Sequence, residues 1–354
     1  MYSENELESA VTAGTLSKEA ADALRAHVSG MRQTPTADEE QFRLITSFND
    51  IFVAIAGILV LVGAGWLGAS ISRPLAGLAV AGAAWGMAEF FTRQRRMAFP
   101  SIIFFLAFVG GIYAFGMFAI LTSLGINDWG LFASSSRSFL IAQSVAAALV
   151  VGASWLHWRR FMVPIAVAAG VAAIARLAFT LIAAAAYPNI GQWMLILVLA
   201  GGLAIFAYAM SWDMADRERK TRKTDVAFWL HLAASPMIVH PIFVLMGINL
   251  GMTGGNAALL AVIAIVIYAA LAVVALIVDR RAILVSALAY VLAAAIFLVS
   301  KIGSSGVSFA LAIIVIGSSL LMLSAFWQTM RRQVLPLLPE TLRDRMPVVS
   351  PVIR

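Results

Sequence analysis

Residues 48–71 read FNDIFVAIAGILVLVGAGWLGASI. Between Asp50 and Arg73 no side chain is charged. A helix needs about 20 apolar residues to cross the hydrocarbon of a bilayer, and this run supplies them. Hydrocarbon offers no hydrogen bonds. Each backbone amide in such a run must therefore bond inside its own segment, which makes the run a helix. Taking this first span as 48–70, the same pattern recurs at 74–91, 98–124, 138–156, 161–186, 190–212, 226–250, 257–278, 282–300 and 306–327. The expected fold is all-α: a polytopic transmembrane helix bundle of about ten spans over residues 48–327.

The composition agrees. Hydrophobic residues make up 62% of the chain and charged residues 12%, and the mean hydropathy is +0.92. Such a chain cannot cover itself with a water-facing surface, so the lipid bilayer is its principal partner. A net charge of +7 would hint at nucleic acid in a soluble protein. Here the basic residues cluster at span ends, and no nucleic-acid partner is expected. Cysteine is absent, which excludes disulfides, thiolate metal sites and Cys nucleophiles.

The loops set the orientation. One set carries Arg93, Arg95, Arg96, Arg159, Arg160, the run from Arg217 to Lys223, Arg280 and Arg281. The alternate set carries Arg73, Arg137 and Lys301. With both terminal segments included, 21 basic residues fall on the first side and 3 on the other, leaving Arg176 inside a span. Positive charge stays inside, so both termini are expected in the cytoplasm. Trp155, Trp158, Trp212, Trp229 and Trp327 fall near one face and Trp66, Trp129 and Trp193 near the other, as an interfacial belt requires. Trp85 stands apart and is expected among the helices.

Four regions follow. Residues 1–35 are expected to form a cytoplasmic helical hairpin, with a helix over 4–12, a stop at Gly14 and a second helix capped by Ser17. Forty-odd residues bury little core alone, so the hairpin is expected to pack on a partner: the membrane domain, its copy, or a cytoplasmic protein. Residues 36–47 are an amphipathic lead-in helix, opened by the capping box Thr36-Ala37-Asp38-Glu39 and carrying Phe42 and Ile45. The ten spans fill 48–327. The tail, 328–354, contains Pro336, Pro339, Pro347 and Pro351, which forbid a long helix. Its interleaved leucines and arginines fit a segment lying on an anionic leaflet. The N-terminal segment is polar and begins acidic, unlike a secretory signal. The first span is accordingly read as an uncleaved anchor.

Intramembrane charge is expensive and marks candidate sites. Arg176 lies within 161–186, roughly 15 Å from the outer end at 1.5 Å per residue. The seventh span carries His231, Pro236, His240 and Pro241. Each proline removes a helix hydrogen bond. A break there would leave an outer half-helix whose positive end, with Arg176 and His240 at one depth, could hold an anion. Arg176, His240, Pro236, Pro241 and His231 are thus the candidate substrate-binding residues, beside the alternative of a snorkelling arginine and a proline-kinked helix. Glu89 and Arg93 stand at i and i+4 and read as a local ion pair. Asp279-Arg280-Arg281 reads as a plain turn. The small-residue pairs Gly82 and Gly86, Ala64 and Gly68, and Ala166 and Gly170 permit close helix approach.

The sequence has no phosphate-binding loop, no His-Glu-x-x-His zinc motif and no nucleophile elbow. No cofactor, metal or catalytic residue is expected. Spans one to five and six to ten are nearly equal in length, as inverted repeats would be, but the second span lacks the paired prolines of the seventh.

The opening Leu7…Ala13-Gly14-Thr15-Leu16-Ser17-Lys18-Glu19-Ala20 resembles the N-terminal hairpin of a large group of uncharacterised bacterial predicted membrane proteins. The stretch Phe228-Trp229-Leu230-His231-Leu232…Pro236…His240-Pro241 resembles the same group. The resemblance implies a multi-pass protein of the bacterial cytoplasmic (inner) membrane and supplies no activity. Two functional readings remain open: a permease-like carrier of a small anionic solute, and a non-transporting scaffold or sensor whose hairpin binds a cytoplasmic partner.

Overall fold

The computed structural model describes residues 10–24, 48–126, 136–189, 191, 193–217, 219, 221–248, 257–302 and 306–347. Several expectations fall outside these residues: most of the first N-terminal helix, the capping box and lead-in helix, Trp129, and the tail beyond Pro347. Among the described residues every regular element is helical.

Each predicted stretch is a helix. They are α1 (Phe48–Ile71), α2 (Arg73–Met87), α3 (Ala98–Ser123), α4 (Arg137–Phe161) and α5 (Ile165–Ala185), then α6 (Trp193–Met214), α7 (Arg222–Leu245), α8 (Ala257–Val278), α9 (Ala282–Ile302) and α10 (Gly306–Ala325). Eight helices are long and apolar enough to cross a membrane, and nine if a bent pair at the end counts as one span. That pair bends by 70° between 313–325 and 327–337, where α11 (Trp327–Val334) begins. The short α12 (Glu340–Arg343) follows. These apolar helices fit a membrane-embedded protein.

Local chemistry sets the ends. Ser72 and Ser136 cap α2 and α4 by accepting from Leu75 N and Phe139 N. Met162 ends α4 in the left-handed region. The second helix of the N-terminal segment starts where expected, with Ala20 N donating to Ser17 Oγ at 3.1 Å. Residues 1–42, with 350–354, belong to one compact unit and residues 43–349 to another.

Within the larger unit α2 packs on α1 and α3, α4 on α3 and α5, and α7 on α5, α6 and α9. One core gathers Phe104, Phe105, Phe108 and Ile165, with Trp85 packed against it. A second gathers Val239, Phe243, Leu276, Tyr290 and Trp327. A close approach of backbones lies at Gly77 and Gly111, between α2 and α3. A Cβ at Gly77 would stand 2.5 Å from Gly111 O, whereas one at Gly82 or Gly86 would meet nothing within 4 Å. The expected Gly82–Gly86 seam is therefore open, and the contact forms one turn earlier.

Two sequence expectations need correction. The helix α7 runs unbroken through Pro236 and Pro241, so no half-helix starts at mid-span to offer free amides to an anion. It is packed by α5, α6 and α9, and neighbouring helices commonly hold proline-containing spans together. The turn after α8 is likewise more than a turn, because Arg280 is buried within the helix ends.

Candidate functional site

The charged residues that a helix end normally offers to water are here turned inward. Asp213 sits one residue before the end of α6 and His231 in the third turn of α7. His231 Nε2 lies 2.8 Å from Asp213 Oδ2. Arg280, in the turn between α8 and α9, binds the other oxygen of the same carboxylate through Nη2, and donates from Nε to Oδ2 at 3.3 Å. All three side chains are at most 1% exposed. Bringing such ions out of water costs several kcal/mol each, so the cluster persists only because its members satisfy one another. His231 Nδ1 alone has no hydrogen-bond partner.

A second ionic centre adjoins the first along the chain. Asp279 is paired with Arg219 at 2.8 Å and lies 3.5 Å from Arg331. The indole Nε1 of Trp327 donates to it at 2.6 Å. Arg331, fully buried, donates from Nε to Leu276 O at 3.1 Å and from Nη2 to Pro347 O at 2.6 Å. Arg217 donates to Met346 O at 3.1 Å. Together these bonds tie the segment from Trp327 to Pro347 to the ends of α6 and α8. Asp279 adopts a positive φ of 59°, a strained setting for a non-glycine residue. Asp216 closes the α6–α7 turn by accepting from Thr221 N, Thr221 Oγ1 and Thr224 Oγ1.

Beside the first centre lies a cavity of about 180 Å³ between α6, α7, α8 and α9. Phe206 and Ser235 connect the two. Phe206 lines the cavity and stacks edge-on to His231 at 5.1 Å. Ser235 also lines it and donates to His231 O at 2.6 Å. The other walls, including Leu203, Ile238 and Leu271, are hydrocarbon.

Arg176 is exposed on α5. Its Nη2 donates to Tyr113 Oη of α3 and to Gln143 Oε1 of α4, both at 2.8 Å. Its Cζ also lies 5.3 Å from the Tyr113 ring centroid. Nearby, Ser144 donates to Thr180 Oγ1 at 2.8 Å, linking α4 and α5. His240 is engaged elsewhere, with Nδ1 against Tyr290 Oη of α9. The predicted residues thus divide among three places: Arg176 with α3 and α4, His240 with α9, and His231 with Asp213 and Arg280. Pro236 and Pro241 lie inside α7. Asp213, Arg280, Tyr113 and Gln143 escaped sequence reading. Asp213 resembled any acidic residue at a helix end, and the two neutral partners carry no charge to flag them.

Two further polar groups are structural. Glu89 sits in a π-helical turn, Ala88–Gln94, and pairs with Arg160 at 2.7 Å as well as with Arg93 at 3.4 Å. His157 is fully buried, ringed by Trp85, Phe105, Phe108 and Phe161. No group of three metal-ligating side chains occurs among the described residues. Comparison with family models, curated proteins and solved structures finds no match to this chain.

Proposed function

We propose that this chain is a permease-like carrier of a small anionic solute. On this reading it crosses the bacterial inner membrane ten times and keeps both termini in the cytoplasm. The distribution of 21 basic residues against 3 supports that orientation.

The observation that carries the proposal is Arg176. Its guanidinium stands near the middle of an apolar helix, and its bonds go to the neutral oxygens of Tyr113 and Gln143. Among the described residues no carboxylate pairs with it. A lone cation at this depth costs about 3 kcal/mol on insertion scales. A visiting anion would offset that cost, and stabilisation of this kind is what a binding site needs. The Asp213–His231–Arg280 cluster adds an ionisable group inside the bundle, as proton-linked carriers require.

The test is electrical. Proteoliposomes on a solid-supported membrane are challenged with a panel of small carboxylates and inorganic phosphate. Wild-type protein should give a transient current with at least one of them, and Arg176→Gln should abolish it while inserting normally. No current with any member, or an equal current from the variant, would overturn the proposal.

A further inference from the structure

The cavity among α6 to α9 opens sideways. Its back wall comes from α7 and α9, where Ser235, Val239 and Ile283 are each at most 4% exposed. Its front edges are Leu203 of α6 and Val274 of α8, which are 52% and 40% exposed. The helix α7 packs on α6 and α9, and α9 packs on α8, but no extended seam joins α6 to α8 among the described residues. The cavity is therefore a groove floored by α7 and α9, with its mouth between α6 and α8. That mouth continues the outer surface of both helices. Ile196 lies two turns before Leu203 on α6 and Val273 lies next to Val274 on α8, and both are exposed. In a membrane-embedded bundle this surface faces acyl chains.

The walls select against water. An ordered water needs about two to four polar partners, whereas a cavity of roughly 150 Å³ lined by Leu, Ile and Phe stays dry and takes apolar guests. This groove measures about 180 Å³. Ser235 supplies the one hydroxyl among its lining residues, and that hydroxyl already donates to His231 O at 2.6 Å. Hydrocarbon is the occupant that suits it.

Depth and charge narrow the occupant further. Leu203 stands eleven residues before the end of α6 and Val274 four before the end of α8. At 1.5 Å per residue these are roughly 16 Å and 6 Å along the axes. The Arg219–Asp279 and Arg280–Asp213 pairs bring those two helix ends together. The groove thus runs from near that end to about the middle of a hydrocarbon core some 30 Å thick, the reach of a chain from a single leaflet. At the same end Arg217, Arg222 and Lys223 are exposed, and such cations attract anionic headgroups.

We infer that the groove between α6 and α8 is a seat for one anionic phospholipid. An acyl chain enters between Leu203 and Val274 and lies on Val239 and Ile283, and the head stays with the cations at the helix ends. This site is separate from Arg176, and the inference stands or falls independently of the carrier reading.

The full chain is placed in nanodiscs of equal parts phosphatidylglycerol and phosphatidylcholine, released into detergent and weighed intact with its retained lipid. Wild-type protein should keep one phosphatidylglycerol. Leu203→Trp and Val274→Trp should each weaken retention on the order of tenfold, because every methylene kept out of an apolar site forgoes roughly fourfold in affinity. Leu259→Trp, at the other end of α8, should retain lipid as wild type does. A phosphatidylglycerol carrying a diazirine on its acyl chain tests the wild-type protein without substitution, and its label should concentrate on Leu203, Phe206, Leu271 and Val274. Label spread evenly over the exposed faces of the helices would overturn the inference. So would equal retention of phosphatidylcholine, or wild-type retention by both tryptophan variants. A dimer that falls to monomer in Val274→Trp would assign the groove to a second copy and likewise overturn it.

Discussion

Asp213 and His231 meet at 2.8 Å although 18 residues and a change of helix separate them, and the same carboxylate also holds Arg280, 67 residues away. One buried anion thus gathers α6, α7 and the α8–α9 turn. The geometry is that of a lock, and its energetics differ from those of a surface ion pair. Removing one member strands the others in low dielectric.

Asp213→Leu should therefore cost about 3–5 kcal/mol of stability, whereas the double variant Asp213→Leu, Arg280→Met should recover most of the loss. Thermal unfolding in detergent reports both. A single variant as stable as wild type would show that water or another group reaches the site.

Trp327→Phe keeps the ring and removes the N–H that donates to Asp279 at 2.6 Å. Loss of a hydrogen bond to a charged group costs about 1.5–3 kcal/mol. The effect should be local: faster tryptic cleavage after Arg331 and Arg332, with little change in the rest of the bundle. Cleavage at the wild-type rate would mean that Arg331 and Arg217 hold the segment without the indole.

Gly77→Ala and Gly82→Ala should differ in sign. The first forces a methyl group to 2.5 Å from Gly111 O, and the second places one in open space. Overpacking typically costs about 1–3 kcal/mol, while alanine for glycine in an open helix interior gains roughly 0.5–1 kcal/mol. Comparing the two melting temperatures decides whether α2 and α3 touch at the turn described.

Tyr290→Phe removes the hydroxyl that His240 Nδ1 meets. The loss should be about 1 kcal/mol, the net value of an ordinary hydrogen bond. If His240 serves transport, as the sequence suggests, the current should change as well. Altered stability with an unaltered current would confine His240 to a structural role.

The helices were legible because hydrophobic runs and basic loops follow from one constraint, the exclusion of charge and unbonded amides from hydrocarbon. That constraint located all ten stretches, and capping chemistry located the start of the second N-terminal helix at Ser17. It could not reveal which helices face each other. Gly77 and Gly111, 34 residues apart, look no different in sequence from Gly82 and Gly86. Arg280 looked like the other loop arginines because its burial depends on Asp213, a long-range partner. Arg176 was conspicuous through its own charge, but Tyr113 and Gln143 were not. The paired prolines of α7 misled for a related reason. A local rule predicts a break, and the packing of three neighbouring helices keeps the helix whole.

Asp279 and Arg280 are consecutive residues that reach in different directions, one to Trp327 and Arg331 and the other to Asp213. Their α-carbons are joined by a single peptide unit about 3.8 Å long. The two grips therefore form a rigid yoke: a displacement that pulls α11 away from α8 must also drag on the end of α6. The helices α11 and α6 are thus mechanically coupled through one peptide unit, and moving either strains the other.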